Sequence, residues 1–367
     1  MFESLVNASR LLLEAELKPV QGDRFQPTGF ADLGAAIYER PDEKRTRMLL
    51  VESAQSIANR LEHTCLNGDG AHIAKELEGL PYIVAKLTGQ TETETSSLVE
   101  AHRINSPFII SNDAFRNAFV EKSGYAKGKP LNWQKIAQAC LFYDPNSLLH
   151  GVFMANLEDG RVRLPRALSG FIEAEDVREA ASGGVKNNPL DPTGKIRAKN
   201  YDKDVYSNVP YPRMEYTARR IVVYFNFDLS LLNGYGLDAD ARELLIALGL
   251  YKIRRFISTG LRLRTACDLD LIADSDIKVT SPRDFTLIAE AKLLEKVKTG
   301  IKACAKRNLF AKPSVTELMT EVVLKGSDVS QSSAAPPSSD DILAREELET
   351  SDESESSAPA DKDQNQE

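Results

Sequence analysis

Asp268 and Asp270 stand one residue apart in the stretch CDLDLIADSD. Alternate residues of a strand share a face, so the two carboxylates form the kind of pair that holds magnesium for phosphoryl transfer. Arg262 and Arg264 fall on the same face of that predicted strand, and a cross-strand ion ladder accounts for all four side chains without a metal. Thr193-Gly194-Lys195 is a second candidate, because it ends like a phosphate-binding loop. A P-loop, however, needs glycine where Pro189 stands and a hydroxyl where Ile196 stands, and Pro189 and Pro192 lack the amide hydrogens that would face phosphate. His63, His72, His102 and His150 form no H-x-x-x-H or H-x-x-H pair, and His63 and Cys65 with His72 make only a weak metal cluster. Cys65, Cys140, Cys267 and Cys304 are scattered without a C-x-x-C pair, which excludes a zinc knuckle and a disulfide framework. Nucleophile-elbow, dinucleotide-binding and kinase motifs are absent too, so no catalytic residue, metal or cofactor is expected.

Charge gives a more productive lead. The segment SGGVKNNPLDPTGKIRAKN, residues 182–200, holds three glycines, three asparagines and four basic side chains. Around it, residues 185–264 carry fourteen Lys and Arg against eight Asp and Glu, a surplus that suits phosphate, although most such runs are solvated surface. The net charge of -8 hides this, because from residue 326 onward there are twelve acidic and two basic residues, leaving residues 1–325 with 44 basic against 42 acidic. The tail is rich in Ser, Pro and Glu and poor in large apolar groups, so residues 326–367 are expected to be disordered. No apolar run approaches the roughly 18 residues of a membrane span. The opening MFESLVNASR carries acid where a signal peptide needs base, which predicts a cytoplasmic protein with no membrane partner.

The elements that must position these groups read as α+β. Leu11, Leu13, Ala15 and Leu17 alternate with Leu12, Glu14, Glu16 and Lys18, the period of a half-buried strand ending at Pro19. A loop with Gly22, Gly29 and Gly34 follows, then the strand RMLLVES and a helix capped by Ser53, with Ile57, Leu61 and Cys65 inward and Gln55, Asn59 and Arg60 on other faces. Residues 66–150 read as a helical insertion, including AHIAKELEGL, and Asn112 and Asp113 mark a helix start. Farther on, RRIVVYFNFDLSLL, DADARELLIALGLYKIRRFIS and LRLRTACDLDLIA form a strand-helix-strand unit. In SPRDFTLIAEAKLLEKVKTG, Ser281, Pro282 and Asp284 predict the start of a last helix.

Several blocks carry a family resemblance: LKPVQGDRFQPTGFADLG, LLVESAQSIANRLE, EAHRINSPFI, YDPNSLLHGVF, FIEAEDVREAASGGVKNN, YTARRIVVYFNFDLSLL and KIRRFISTGLRLRTACDL. Over residues 10–272 the chain resembles the backbone subunit of the type I-G (formerly I-U) CRISPR effector complex, a Cascade complex, within the RAMP superfamily. The resemblance implies an RRM-like (ferredoxin-like) palm over residues 1–325, with a helical insertion at 66–150 and a β-hairpin thumb at 160–217, and it excludes the acidic tail at 326–367. It also implies a non-catalytic scaffold that oligomerises on guide crRNA, contacts other Cascade subunits, and meets target DNA through the guide.

A guide of arbitrary sequence has to be held through phosphate, sugar and shape. On that ground Gly183, Gly184, Lys186, Asn187, Lys195, Arg197 and Lys199 are candidate RNA contacts, with an ordinary exposed loop as the other reading of the same residues. Where a superfamily palm meets RNA, Arg24, Gln26 and Thr28 of the glycine-rich loop and Gln55, Asn59 and Arg60 of the first helix are further candidates, as are Arg262 and Arg264 if their face is open. Some relatives in other CRISPR types cut RNA with a loop aspartate, so a metal-dependent ribonuclease using Asp23 is the rival reading.

Overall fold

The spine of the main sheet is β1 (Arg10–Pro19), whose Leu11, Leu13, Ala15 and Leu17 are all buried, as the alternation requires. The computed structural model describes residues 2–30, 33–89, 92–195, 207–272 and 276–323. Arg197, Lys199 and the tail at 326–367 lie outside the described residues.

After β1, the glycine-rich loop folds into the small pair β2 (Gly29–Phe30) and β3 (Gly34–Ala35). Then come β4 (Ile37–Glu39), β5 (Arg47–Glu52) and α1 (Ala54–His63). The Ser53 side chain accepts from the Ser56 amide and so caps α1, and Ile57, Leu61 and Cys65 are fully buried.

Residues 66–150 hold more strand than the sequence suggests. AHIAKELEGL contains only a 3-10 turn at Lys75–Leu77, because Ala74, Leu77 and Leu80 are buried at spacing three, which a 3-10 turn satisfies without a helix. Next are β6 (Tyr82–Gly89) and β7 (Thr93–Ser96), followed by α2 (Pro107–Ile110), α3 (Asp113–Ser123), α4 (Trp133–Tyr143) and α5 (Asn146–His150). Asn112 caps α3 by accepting from the Phe115 amide. A short pair, β8 (Val152–Phe153) with β9 (Arg163–Leu164), leads into β10 (Leu168–Lys186) and β11 (Val209–Asp228).

The strand-helix-strand unit continues through α6 (Leu229–Gly234) and α7 (Ala239–Ser258). Helix α7 is buried nearly all round, so Gly249 has a packing role: an added Cβ would lie 2.5 Å from the Phe227 ring. The single strand expected at 261–271 is a hairpin, β12 (Leu261–Arg264) and β13 (Cys267–Leu271), turning at Thr265 and Ala266, where Ala266 has φ 60°. The Arg and Asp residues therefore belong to two strands, with Arg262 opposite Asp268. After β14 (Lys278–Ser281) the chain turns, with the Phe285 amide donating to the Pro282 carbonyl at 3.3 Å, then buries alternate Phe285 and Leu287, and α8 (Glu290–Lys306) follows its cap residue Ala289, not Ser281. Gly300 of α8 sits against Leu244 of α7, and β15 (Val315–Val322) closes the described chain.

The main sheet has the order β12-β13-β1-β11-β10-β5-β4, with β14 also on β1, and every pairing in it is antiparallel. A second sheet, β15-β6-β7, pairs β15 parallel to β6. The architecture is α+β, and Met1–Val322 form one compact unit.

Strands β10 and β11 outrun the sheet. Strand β5 pairs with β10 only from Ile172 to Glu175, and β1 pairs with β11 only as far as Ile221. The ladder between them is interrupted at Asp176, which adopts φ 54°, and then resumes from Val177–Ala218 to Lys186–Val209, where the only further pairing among the described residues is an isolated bridge from Phe25 to Tyr216. Ten residues per arm at about 3.4 Å each give a two-stranded ribbon on the order of 35 Å long.

Candidate nucleic-acid interface

From the Ala181–Met214 pair to Lys186–Val209 neither arm of the ribbon has a buried residue. From Arg178 outward, β10 has no buried residue, and Val185, Leu190, Tyr211 and Met214 are exposed apolar groups beside exposed Lys186, Asn187 and Lys195. Lys186 and Lys195 make no ion pair among the described residues, so their charge is available to a ligand. The glycines differ. An added Cβ at Gly183 would meet the Tyr211 carbonyl at 3.0 Å, whereas at Gly184 it would meet nothing within 4 Å. Packing thus explains Gly183 and leaves Gly184 as an open stretch of backbone.

Thr193-Gly194-Lys195 has a structural explanation. The Gly194 amide donates to the Asp191 carbonyl at 3.3 Å, and Gly194 takes φ 72°, the left-handed geometry that glycine closes turns with. Asn188 orders the same tip by accepting from the Leu190 and Asp191 amides, both at 3.2 Å.

At the root of the ribbon the glycine-rich loop leans against β11. Phe25 and Tyr216 exchange both backbone hydrogen bonds, at 2.9 and 2.8 Å. Arg24 Nε lies 3.9 Å from Glu215, which Arg213 also approaches at 3.3 Å, and Arg213 Nη1 donates to Gln26 Oε1 at 3.4 Å. Gln26, Thr28, Met214, Tyr216 and Arg264 line an open cleft of about 500 Å³. The structure therefore brings three of the loop candidates to the ribbon, together with Arg213, which sequence reading passed over.

Arg60 and Arg264 turn inward instead. Glu52, fully buried at the end of β5, receives Arg60 Nε at 2.9 Å, pairs with Arg264, and accepts from the Ser56 hydroxyl. Their other donors go to main chain: Arg60 Nη2 to the Leu263 carbonyl at 2.5 Å, and Arg264 Nη1 to the Gln26 and Val51 carbonyls at 3.0 and 3.1 Å. Desolvation lowers the pKa of both guanidiniums below the ordinary Arg value. They clasp α1, the glycine-rich loop and the β12–β13 hairpin to one carboxylate.

The α1 candidates form a row. Gln55 Oε1 accepts from Arg166 at 2.7 Å, and its Nε2 donates to Asn59 Oδ1 at 3.1 Å. Asn59 and Arg60 line a separate cleft of about 560 Å³ with His63, Arg255 and Thr259. Arg262 is exposed and makes no ion pair among the described residues, and the expected ladder is not formed, because Arg264 has gone to Glu52.

The sheet face away from α1 and α7 is no phosphate platform. Phe171 and Tyr224 lie 5.1 Å apart on it, but Arg220 pairs with Glu16, Tyr38 with Glu173, and Arg40 with Glu175 around them. Phe225 and Phe227 are core residues. Asp23 is exposed in its turn, and among the described residues no group of three or more His, Cys, Asp or Glu side chains is placed to hold a metal ion. No described helix is long and apolar enough to cross a membrane.

Comparison with known proteins is consistent with the resemblance in the sequence blocks. The family described as CRISPR-associated protein GSU0053 matches residues 11–179, a span that takes in the glycine-rich loop, α1, the insertion and the first half of β10. No curated protein matches the chain. Among solved structures, a chain of a "CRISPR RNA-guided surveillance complex, pre-nicking" aligns with TM-score 0.33 and 12% identity over 81% of this chain and 89% of that one. A chain of a "CRISPR RNA-guided surveillance complex" aligns with TM-score 0.31 and 12% identity over 81% and 83%. Thermofilum pendens Csc2 aligns with TM-score 0.28 and 8% identity over 83% and 79%.

Proposed function

We propose that this CRISPR-associated chain is a non-catalytic scaffold that binds guide crRNA through its sugar-phosphate backbone and repeats along it. In this reading the antiparallel sheet with α1 and α7 is an RRM-like palm, and the ribbon of β10 and β11 is a thumb laid across the strand. Further copies of the chain and other Cascade subunits are its protein partners, target DNA is met through the guide, and the assembly works in the cytoplasm.

The observation that supports this best is the ribbon itself. It carries Lys186 and Lys195 with no acidic partner among the described residues, beside the open backbone at Gly184, and among the described residues no strand or helix pairs with its outer part. Such groups reward phosphate and carry no base code, as a scaffold for arbitrary guides requires. Two RNAs of unrelated sequence, titrated by gel shift across a salt series, test the reading. Equal affinity for both, falling steeply with salt, is expected. Strong preference for one sequence, salt-independent binding, or cleavage of the RNA that Asp23→Ala abolishes would each overturn it.

A further inference from the structure

Arg166 follows β9 and is half-buried between α5 and the start of α1. Its Nε donates to the His150 carbonyl at 3.5 Å, Nη1 to the Ala54 carbonyl at 3.3 Å, and Nη2 to Gln55 Oε1 at 2.7 Å. All three acceptors are neutral, and among the described residues Arg166 has no carboxylate in ion-pair reach.

Arg103 shows what the ordinary solution looks like. Glu62 binds Arg103 at both ends, with Nε to Oε1 at 2.6 Å and Nη2 to Oε2 at 2.7 Å, and Arg103 Nη1 donates to the Gly151 carbonyl at 3.1 Å. Two guanidiniums and one carboxylate leave one positive charge, and the fork to Glu62 assigns that charge to Arg166. Burial and then the charge of Arg103 lower the pKa of Arg166 from the ordinary Arg value. A partly desolvated cation without a counterion is unfavourable, and an anion arriving beside it removes that cost.

We propose that Arg166 is a phosphate-binding residue of the guide-RNA surface, presented beside the Gln55–Asn59 row of α1; this rests on the scaffold reading above. A guanidinium has five N–H donors. Three are occupied, so two remain for a phosphodiester oxygen pair, the geometry in which Arg binds phosphate best. The three neutral acceptors fix the fork in advance, and Gln55 ties it to Asn59, so little side-chain freedom is lost on binding.

The test uses the full chain, a labelled uridine homopolymer and a salt titration, with thermal melts in parallel. For Arg166→Gln, affinity at about 0.15 M salt is expected to fall roughly tenfold, and the log-log salt slope to become shallower by about 0.7, the value for one single-strand phosphate contact. Arg166→Lys is expected to restore the slope and only part of the affinity, because it keeps the charge and loses the fork. If the unaltered chain binds and Arg166→Gln keeps both affinity and slope, whatever its melting temperature, Arg166 is a strut between α1 and α5 and the inference fails alone. If the unaltered chain does not bind, the scaffold reading fails first and takes this inference with it. Should Arg166→Gln not fold, Arg166→Lys decides: weaker binding at unchanged slope supports the proposal, and unchanged affinity overturns it.

Discussion

The segments packed around the root of the β10–β11 hairpin and the outer part of that hairpin both carry basic side chains, and they use them in opposite ways. At the root, Arg60 and Arg264 share the buried Glu52 and fasten three segments together. On the ribbon, Lys186 and Lys195 stand in solvent with no acid paired to them among the described residues. Both groups are cationic, and a buried carboxylate is present beside the first and absent, among the described residues, beside the second. Cations with a counterion of their own belong to the fold, and those without one are left for a partner.

Removing Glu52 attacks the root most directly. Glu52→Gln leaves two guanidiniums without their anion, and a loss of about 3–5 kcal/mol in urea unfolding is expected. A loss under about 1 kcal/mol would mean that the clasp is ornamental.

A contrasting buried acid sharpens the point, since Asp144 is fully buried with neutral donors only: the Asn146 amide and the Ser147 hydroxyl, both at 3.0 Å. Burial raises its pKa from 3.8 to about 6. The stability this group contributes is complete below its unfolded value and is lost as pH rises through about 6, a change of about 3 kcal/mol. Asp144→Asn should flatten the loss between about pH 4 and 6 in chemical denaturation followed across pH, and an unchanged profile would show that Asp144 is not the group responsible.

The ribbon should respond in binding and not in stability. Lys186→Ala with Lys195→Ala is expected to weaken RNA binding about tenfold at 0.15 M salt and to reduce the salt slope by about 1.4, with unfolding changed by less than about 0.5 kcal/mol. Equal losses in stability would erase the distinction between root and ribbon. The smallest effect belongs to Gly184→Ala, for which space is open: no measurable change in melting temperature, but weaker RNA binding if backbone meets backbone there.

Local rules carried much of this architecture. The alternation in β1, the Ser53 and Asn112 caps and the apolar spacing of α1 and α7 are all short-range signals, and the chain obeys them. Misreadings came where a tertiary partner decided. Phe285 and Leu287 are drawn into the core from a segment outside any helix, so the apparent cap at Ser281 opens no helix. The hairpin at 261–271 hides because its turn residues, Thr265 and Ala266, include no Gly, Pro, Asn or Asp. In the site, exposure of the Lys186 region follows from composition, but the fate of Arg264 depends on Glu52, more than 200 residues earlier. Arg166 gave no signal at all, since its distinction is a missing acid and not a motif.

The parallel pairing of β6 with β15 has a consequence for synthesis. Ile83, Ala85 and Leu87 are buried in a strand that must wait for Val315–Val322, about 230 residues later, to cover one of its edges. At roughly 5–20 residues per second the ribosome leaves that edge open for some tens of seconds, an interval in which a nascent chain can pair with the wrong neighbour. A chain stopped before Val315 would keep the edge open permanently, so the last described strand is what makes the finished polypeptide safe to release.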